Sequence, residues 1–341
     1  MKKIICFVII FALAIPFIFA FGDKEQKPSD KITIYTSMYQ DVIEVVKKDL
    51  QNQFPKCTIE FVYGGTGRLQ HRIAAEQASG KLGCDILMVA EPAYSLELKE
   101  NGMLHAFKPR EASSLAFNYD PEGYWYPVRI SNMILAYNPE IYSKDSIPNS
   151  FSDFANDESV RDAIAMRSPL TSGTAMATVT ALRDKYGYAY FEALSRQNIQ
   201  IEYGSEIPIM KLETGEYKVI MILEESILRK RQEGSKLEVI YPTDGTVMIP
   251  SPIMIINDKW SASRNTAAAE AIADWFLGRE GQNAIVDGWM HSVRTDFTRL
   301  PFDAKSTGEI RSNSIAVNWE NYFNQRNEIQ DRFQDYLASR R

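Results

Sequence analysis

Cysteine and histidine are both scarce in this 341-residue chain, at three of each. The histidines, His71, His105 and His291, are scattered, and no H-E-x-x-H, C-x-x-C or G-x-S-x-G run occurs. No catalytic constellation is therefore readable, although Ser and Glu are abundant. A G-x-x-x-x-G-K-[ST] loop is also missing, which removes support for nucleotide hydrolysis. The turn Gly64-Gly65-Thr66-Gly67 lacks the G-x-G-x-x-G spacing of a dinucleotide site and follows the second strand, not the first. Nor is there a strongly basic block. With 38 basic residues against 44 acidic ones, a nucleic-acid partner is disfavoured.

Only one long apolar run is present. Lys2-Lys3 precede an unbroken apolar stretch over 5–21, which switches sharply to GDKEQKPSD. A basic start, an apolar middle and a small-residue exit predict an export signal over 1–22, cleaved after Ala20 or Gly22. The competing reading is a retained single-span anchor, because the run is at the short end of spanning length. Cys6 sits inside the run and not at its end, so no lipid-attachment site is expected there. Removing 1–22 takes two lysines and no acidic residue from a net charge of −6, leaving about −8. Residues 23–30 read as a flexible leader, and the rest as the body of an exported protein. Cys57 and Cys84 each head a predicted strand. The expected strand order places the first strand between those two, so the thiols lie about 9–10 Å apart, beyond disulfide reach.

At 341 residues the chain is long enough for two domains of ordinary size. After the leader, KITIYTSMY, CTIEFVYGGTG and CDILMVAE read as strands separated by helical patterns over 41–54 and 68–81. Such alternation with short connections predicts a mostly parallel sheet covered by helices. A second unit follows, with AIAMR at 163–167, a helix after 172, and GEYKVIMIL at 215–223. Strand-like runs at 127–137 and 247–256 could cross between the units. If both cross, the first lobe is discontinuous, built from 31–131 plus 250–341, and the second from 132–249. Ligands bind at domain interfaces and at the C-terminal ends of such strands.

Three turns fall at strand ends just before helices: Thr36-Ser37-Met38-Tyr39, Gly64-Gly65-Thr66-Gly67-Arg68 and Ser172-Gly173-Thr174. Each offers hydroxyls or glycine-bared amides at a helix start, where backbone N–H groups lack intrahelical partners. Any one of them could be an ordinary cap. Three at one edge of two lobes point to a small anionic ligand gripped between them. Arg68 and Arg129 are the candidate counter-charges, since a guanidinium matches a phosphate or carboxylate bidentately. Arg129 interrupts PVRISNMIL where an apolar residue would be expected. Glu224-Glu225 follow VIMIL at a strand exit, and Asp244 lies in the turn PTDGT. These carboxylates would accept bonds from ligand hydroxyls, pair with an amine, or cap local backbone. Adjacent residues point opposite ways, so one of the two glutamates is expected to face the cleft.

In that order and spacing, ITIYTSMY, FVYGGTG, CDILMVAEPAY, PVRISNMILAYNP, TSGTAMATVTAL and YPTDGTVMIPSPIMI resemble the periplasmic substrate-binding proteins of ABC importers. The likeness is to the cluster holding ferric-ion binders and binders of hexose phosphates, pyridoxal phosphate and aminoethylphosphonate. It covers nearly all of the body. The resemblance implies a two-lobed α/β periplasmic-binding-protein fold (type II), in which each lobe is a mostly parallel sheet flanked by helices and crossover strands join the two. It also implies a monomer without cofactor or enzymatic activity, partnered by an inner-membrane permease and its ATPase. By analogy, Ser37, Thr66, Gly67, Ser172, Gly173 and Thr174 would hold a phosphate, while Glu224 or Glu225 and Asp244 read the remainder. Ferric binders carry an adjacent tyrosine pair where this chain has Glu224-Glu225. Carboxylates can also bind iron, so a ferric site using them, with phenolates from Tyr39, Tyr63, Tyr94 or Tyr203, is the alternative. An exported enzyme acting on a phosphate ester and a structural or adhesive surface protein are the other classes.

Overall fold

The computed structural model describes residues 30–117 and 119–338. The expected export signal, with Cys6, lies outside the described residues. The first unit runs β1 (Lys31–Thr36), α1 (Gln40–Gln53), β2 (Thr58–Tyr63), α2 (Thr66–Ala78), β3 (Ile86–Met88), α3 (Pro92–Glu100) and β4 (Leu104–His105). The long strand β5 (Trp125–Tyr137) leads to α4 (Phe151–Asn156), β6 (Ile164–Arg167), α5 (Gly173–Tyr186), α6 (Ala189–Arg196) and β7 (Gln200–Glu202). Next come α7 (Glu206–Glu213), β8 (Val219–Leu223), α8 (Glu224–Gln232), β9 (Glu238–Ile240) and β10 (Thr246–Ile256). Helices α9 (Thr266–Leu277), α10 (Arg279–Asp287) and α11 (Thr307–Ser312) precede β11 (Ser314–Ile315) and α12 (Trp319–Ala338). Among the described residues, no helix is long and apolar enough to cross a membrane.

The expected parallel strands form, with β2, β1 and β3 adjacent in one lobe and β8, β6 and β7 in the other. Both sets join through the antiparallel strands β10 and β5 into one sheet of order β2-β1-β3-β10-β5-β8-β6-β7. The apolar runs ILM and VIMIL are wholly buried, as strands covered on both faces must be. Helix α1 buries Val42, Ile43, Val46 and Leu50, a single stripe at helical spacing. Strand β1 separates β2 from β3, so Cys57 and Cys84 stay apart as free thiols. Helix α12, grouped by the sequence reading with the first lobe, instead buries Tyr322, Ile329 and Phe333 in the core of the second. It also ties back to the first through Arg326 Nε, 3.1 Å from Glu91 Oε1.

The crossover carries the fold's main irregularity. Strands β5 and β10 pair from Met133↔Val247 to Trp125↔Met254, with a register shift between Ser251 and Pro252. Pro252 stands opposite Pro127 and Ser251 opposite Arg129, which leaves Val128 as an extra residue on β5. Neither proline can donate to the ladder, and a bulge is where a sheet tolerates that. The carbonyl of Val128 accepts instead from the side chain of Gln282 on α10, at 2.8 Å. That fully buried amide also donates to Phe276 O (2.8 Å) and accepts from Ser292 Oγ (2.8 Å) and Val293 N (2.9 Å).

Gln282→Leu keeps the side-chain volume and removes all four bonds. The expected loss is at least about 2 kcal/mol of stability, because buried polar groups are left without partners. It would be read as a lower urea midpoint at unchanged slope.

Candidate functional site

The bulge sets the direction of the residue that follows it. Arg129 is 3% exposed and turns into the space between the lobes. Its guanidinium donates to Ser37 Oγ (3.1 Å) in the turn after β1, to Ser131 Oγ (3.4 Å) two residues along β5, and to the sulfur of Met290 (3.1 Å). Its Nε is buried without an acceptor, and no carboxylate among the described residues ion-pairs with it. Burial pulls the arginine's pKa below its ordinary value, against the opposing pull of Glu225.

Around Arg129 is a cavity of about 30 Å³, lined by Ser37, Tyr39, Tyr63, Gly65, Thr66, Ala90, Ser131, Arg167, Ser172, Gly173, Thr174, Leu223 and Glu225. Thus all three predicted turns contribute to one space. Thr66 and Gly173 begin α2 and α5, and the starts of these two helices face each other across the lobes. A Cβ on Gly173 would lie 2.9 Å from Ala90 O, and one on Gly67 only 2.8 Å from Leu170 O. No side chain fits at either position, so glycine here serves close approach of the lobes. The start of α2 has no side-chain cap, whereas Ser172 Oγ accepts from Ala175 N at 3.2 Å at the start of α5. The first ten residues of α5 are buried, and its interior hydroxyls are satisfied locally, Thr178 Oγ1 on Thr174 O (2.8 Å) and Thr180 Oγ1 on Met176 O (3.0 Å). That packing holds the helix start rigidly.

The two glutamates do not continue strand β8, as the alternation argument assumed, but open helix α8, and as consecutive residues of its first turn they point in different directions. Glu225 faces the cavity, 3% exposed, and accepts from Ser131 Oγ at 3.0 Å. Desolvation raises its pKa from the ordinary carboxylate range to about 7, although Arg129 pulls the other way. Glu224 turns away into a buried network, accepting from Asn132 Nδ2 (3.0 Å) and from the Tyr241 hydroxyl, with His291 Nε2 at 2.9 Å.

Other expectations are corrected. Asp244 does not reach the cavity. Its carboxylate accepts from Phe151 N (3.0 Å) and Ser152 N (2.9 Å) at the start of α4, and from Tyr186 OH (2.5 Å). Thr36 is wholly buried and closes its own turn, Oγ1 accepting from Met38 N at 3.1 Å, and Met38 packs into the first-lobe core. Gly67 and Arg68 do not line the inner cavity but a larger outer chamber of about 590 Å³. His71 lines the same chamber, and Tyr203 stands at its rim. Tyr94 lies in a core cluster and reaches neither space.

Arg167 and Ser131 are the polar cavity residues that the sequence reading missed, and the apolar Ala90 and Leu223 complete the wall. Arg167 ends the apolar strand β6, an interruption of the same kind as Arg129, and its Nη1 donates to Tyr39 OH at 3.3 Å. Its Nε is also buried without a partner. Ser131 lies two residues from Arg129 and so shares its face of β5. Tyr39 links the lobes further, with its hydroxyl 3.1 Å from Ser205 Oγ. Among the described residues, no group of three or more His, Cys, Asp and Glu side chains is arranged to hold a metal ion.

A family model described as bacterial extracellular solute-binding protein matches residues 84–320. No curated protein sequence gives a significant match. Several solved structures share the fold. The chain is similar to iron-bound HitA from Pseudomonas aeruginosa, at 20% identity and TM-score 0.76, covering 90% of this chain and 99% of that one. It is similar to AfuA from Actinobacillus pleuropneumoniae with fructose-6-phosphate bound, at 20% identity and TM-score 0.77, covering 91% and 99%. A ferric binding protein from Campylobacter jejuni matches at 16% identity and TM-score 0.70, covering 89% and 99%. At these identities the likeness establishes the fold.

The Glu225 environment makes stability depend on pH. Its carboxyl binds a proton more tightly folded than unfolded, so the folded state gains from it at low pH and loses that gain as pH rises from about 4.5 to about 7. Ligand-free protein is expected to lose on the order of 3 kcal/mol across that window relative to Glu225→Gln. Denaturant titrations at both ends of the window check it. Parallel pH profiles for the two proteins would show that Glu225 ionises normally.

Proposed function

The chain belongs to the bacterial extracellular solute-binding proteins, and from that premise we propose that it captures a small phosphorylated or phosphonate solute in the cavity around Arg129. Membership and fold make it a transport protein and not an enzyme. It is an exported, periplasmic-type component of an ABC importer that binds a small polar or anionic ligand and passes it to a membrane permease. The phosphate reading rests on one observation above the others. Arg129 is buried to 3% exposure with a free Nε and no carboxylate ion-paired to it among the described residues, at the wall of the cavity between the lobes. A buried cation in that condition costs several kcal/mol, and an oxyanion is the partner that would relieve it.

The remaining wall suits the same ligand. Arg167 supplies a second guanidinium, the starts of α2 and α5 supply amides, and Ser37, Thr66, Ser131, Ser172 and Thr174 supply hydroxyls. Near neutral pH, Glu225 can carry a proton and donate to a phosphate oxygen, or when ionised accept from a ligand hydroxyl or amine. On this reading the ligand is bound without a metal.

A ferric-ion site is the second reading, and the named solved relatives lean toward it, since two of the three are iron or ferric-ion proteins. Its structural support is that Tyr39, Tyr63 and Glu225, all oxygen donors, line the one cavity. Two guanidiniums in the same wall weigh against a bare trivalent cation, and burial raises the Tyr63 pKa, away from the phenolate that iron takes. On the ferric reading an accompanying anion would have to meet the arginines.

Native mass spectrometry of the protein as purified, with metal analysis of the same sample, separates these readings. A phosphorus-bearing molecule without stoichiometric iron supports the first. Iron with a visible phenolate charge-transfer band supports the second and sinks the first. In calorimetric titration with inorganic phosphate, Arg129→Met is expected to bind at least about 30-fold more weakly than the parent, because charge-assisted bonds are lost. Equal affinity would remove Arg129 from the site.

A further inference from the structure

The inner cavity is too small to take more than an anionic head, yet it does not end blindly. Tyr39, Tyr63, Gly65 and Arg167 line both the cavity of about 30 Å³ and the outer chamber of about 590 Å³, so the two spaces adjoin. The outer walls differ in kind from the inner ones. Tyr203 is 70% exposed and Tyr63 45% exposed, and with Leu170 they put three of the protein's large exposed apolar side chains on one chamber. Scattered exposed aromatics need no explanation, but a group of them beside a cleft marks a contact surface.

Charge narrows what that surface would meet. Arg68, His71 and Arg167 lie on the chamber wall, and its carboxylate, Glu206, is engaged by Arg229 at 3.0 Å. Two guanidiniums against one carboxylate that is already paired disfavour a cationic tail, such as a free amine. A flat, uncharged or electron-rich ring meets aromatic faces and guanidinium planes.

We propose that the ligand reaches from the inner cavity into the outer chamber, and that Tyr203, with Tyr63, receives a planar ring on the organic part of a phosphate or phosphonate monoester. This rests on the phosphate reading of the inner cavity and adds the class of tail. Tyr203 lines only the outer chamber, so its removal separates tail recognition from head recognition. It is also largely exposed, so substitution there leaves the core intact.

The test uses three probes on the full chain: inorganic phosphate, glycerol phosphate and phenyl phosphate, titrated by calorimetry. The parent is expected to bind phenyl phosphate more tightly than glycerol phosphate. Tyr203→Ala should lose about 3- to 10-fold on phenyl phosphate, the scale of one aromatic pairing, and nothing on inorganic phosphate. Tyr203→Phe, which keeps the ring face, should retain the preference. If phosphate binds but Tyr203→Ala leaves phenyl phosphate unchanged, or if the parent binds phenyl and glycerol phosphate equally, the ring subsite is overturned and the head site stands. If none of the three binds to the parent, the phosphate reading is overturned, and the ring subsite with it.

Discussion

A guanidinium withdrawn from water without a direct ion pair is the constraint around which this molecule is organised. Arg129 is placed by a bulge, the bulge exists because Pro127 faces Pro252, and its displaced carbonyl is met by Gln282 from another helix. A cation so placed is unfavourable in the empty protein. On the proposed reading, the unfavourable term becomes binding energy, because the anion meets a partner already oriented and already stripped of water. The protein thus carries in its folded state part of the cost that a flexible site would meet at binding.

That arrangement works only if the lobes come together closely. The glycines that the sequence offered as bared amides have a second consequence in three dimensions. At Gly67 and Gly173 the backbones of opposite lobes approach to where a single added carbon would meet a carbonyl or a side chain. Tyr39 crosses from the first lobe to Arg167 and Ser205 of the second, and Asp41 on α1 pairs with Arg229 on α8. These contacts are few and polar, as a reversible closure requires. A large apolar interface would hold the lobes shut whether or not ligand was present, and only a ligand with different affinity for open and closed forms can shift that balance.

Much of this was legible in the chain, and the exceptions have physical reasons. Alternating strand and helix patterns gave the order of elements because each is locally periodic. The three turns were visible as hydroxyl- and glycine-rich starts, and Arg129 as a charge interrupting an apolar strand. The same interruption at Arg167 passed unnoticed because β6 is four residues long, so its last residue reads as the beginning of a loop. Asp244 misled because a turn aspartate looks alike whether it faces a ligand or caps a helix more than ninety residues away. Helix α12, grouped with the first lobe, packs on both, because an amphipathic pattern reports that a face is buried and not against what.

The adjacent glutamates show how much one residue of spacing decides. Glu224 receives bonds from Asn132, Tyr241 and the buried His291, which holds the start of α8 in place beneath the cleft. Glu225 receives one from Ser131 and otherwise faces the cavity, where desolvation favours its neutral form. A negative group beside an anion site would normally weaken it. A carboxyl whose proton affinity is tuned to neutrality does not, because an arriving anion raises that affinity further and keeps the proton in place. On the proposed reading the proton can leave when the anion does, and the ionised Glu225 then faces Arg129 across the cavity without a direct ion pair. The same pair can therefore accommodate both the filled and the empty states, with one proton moving to match the charge.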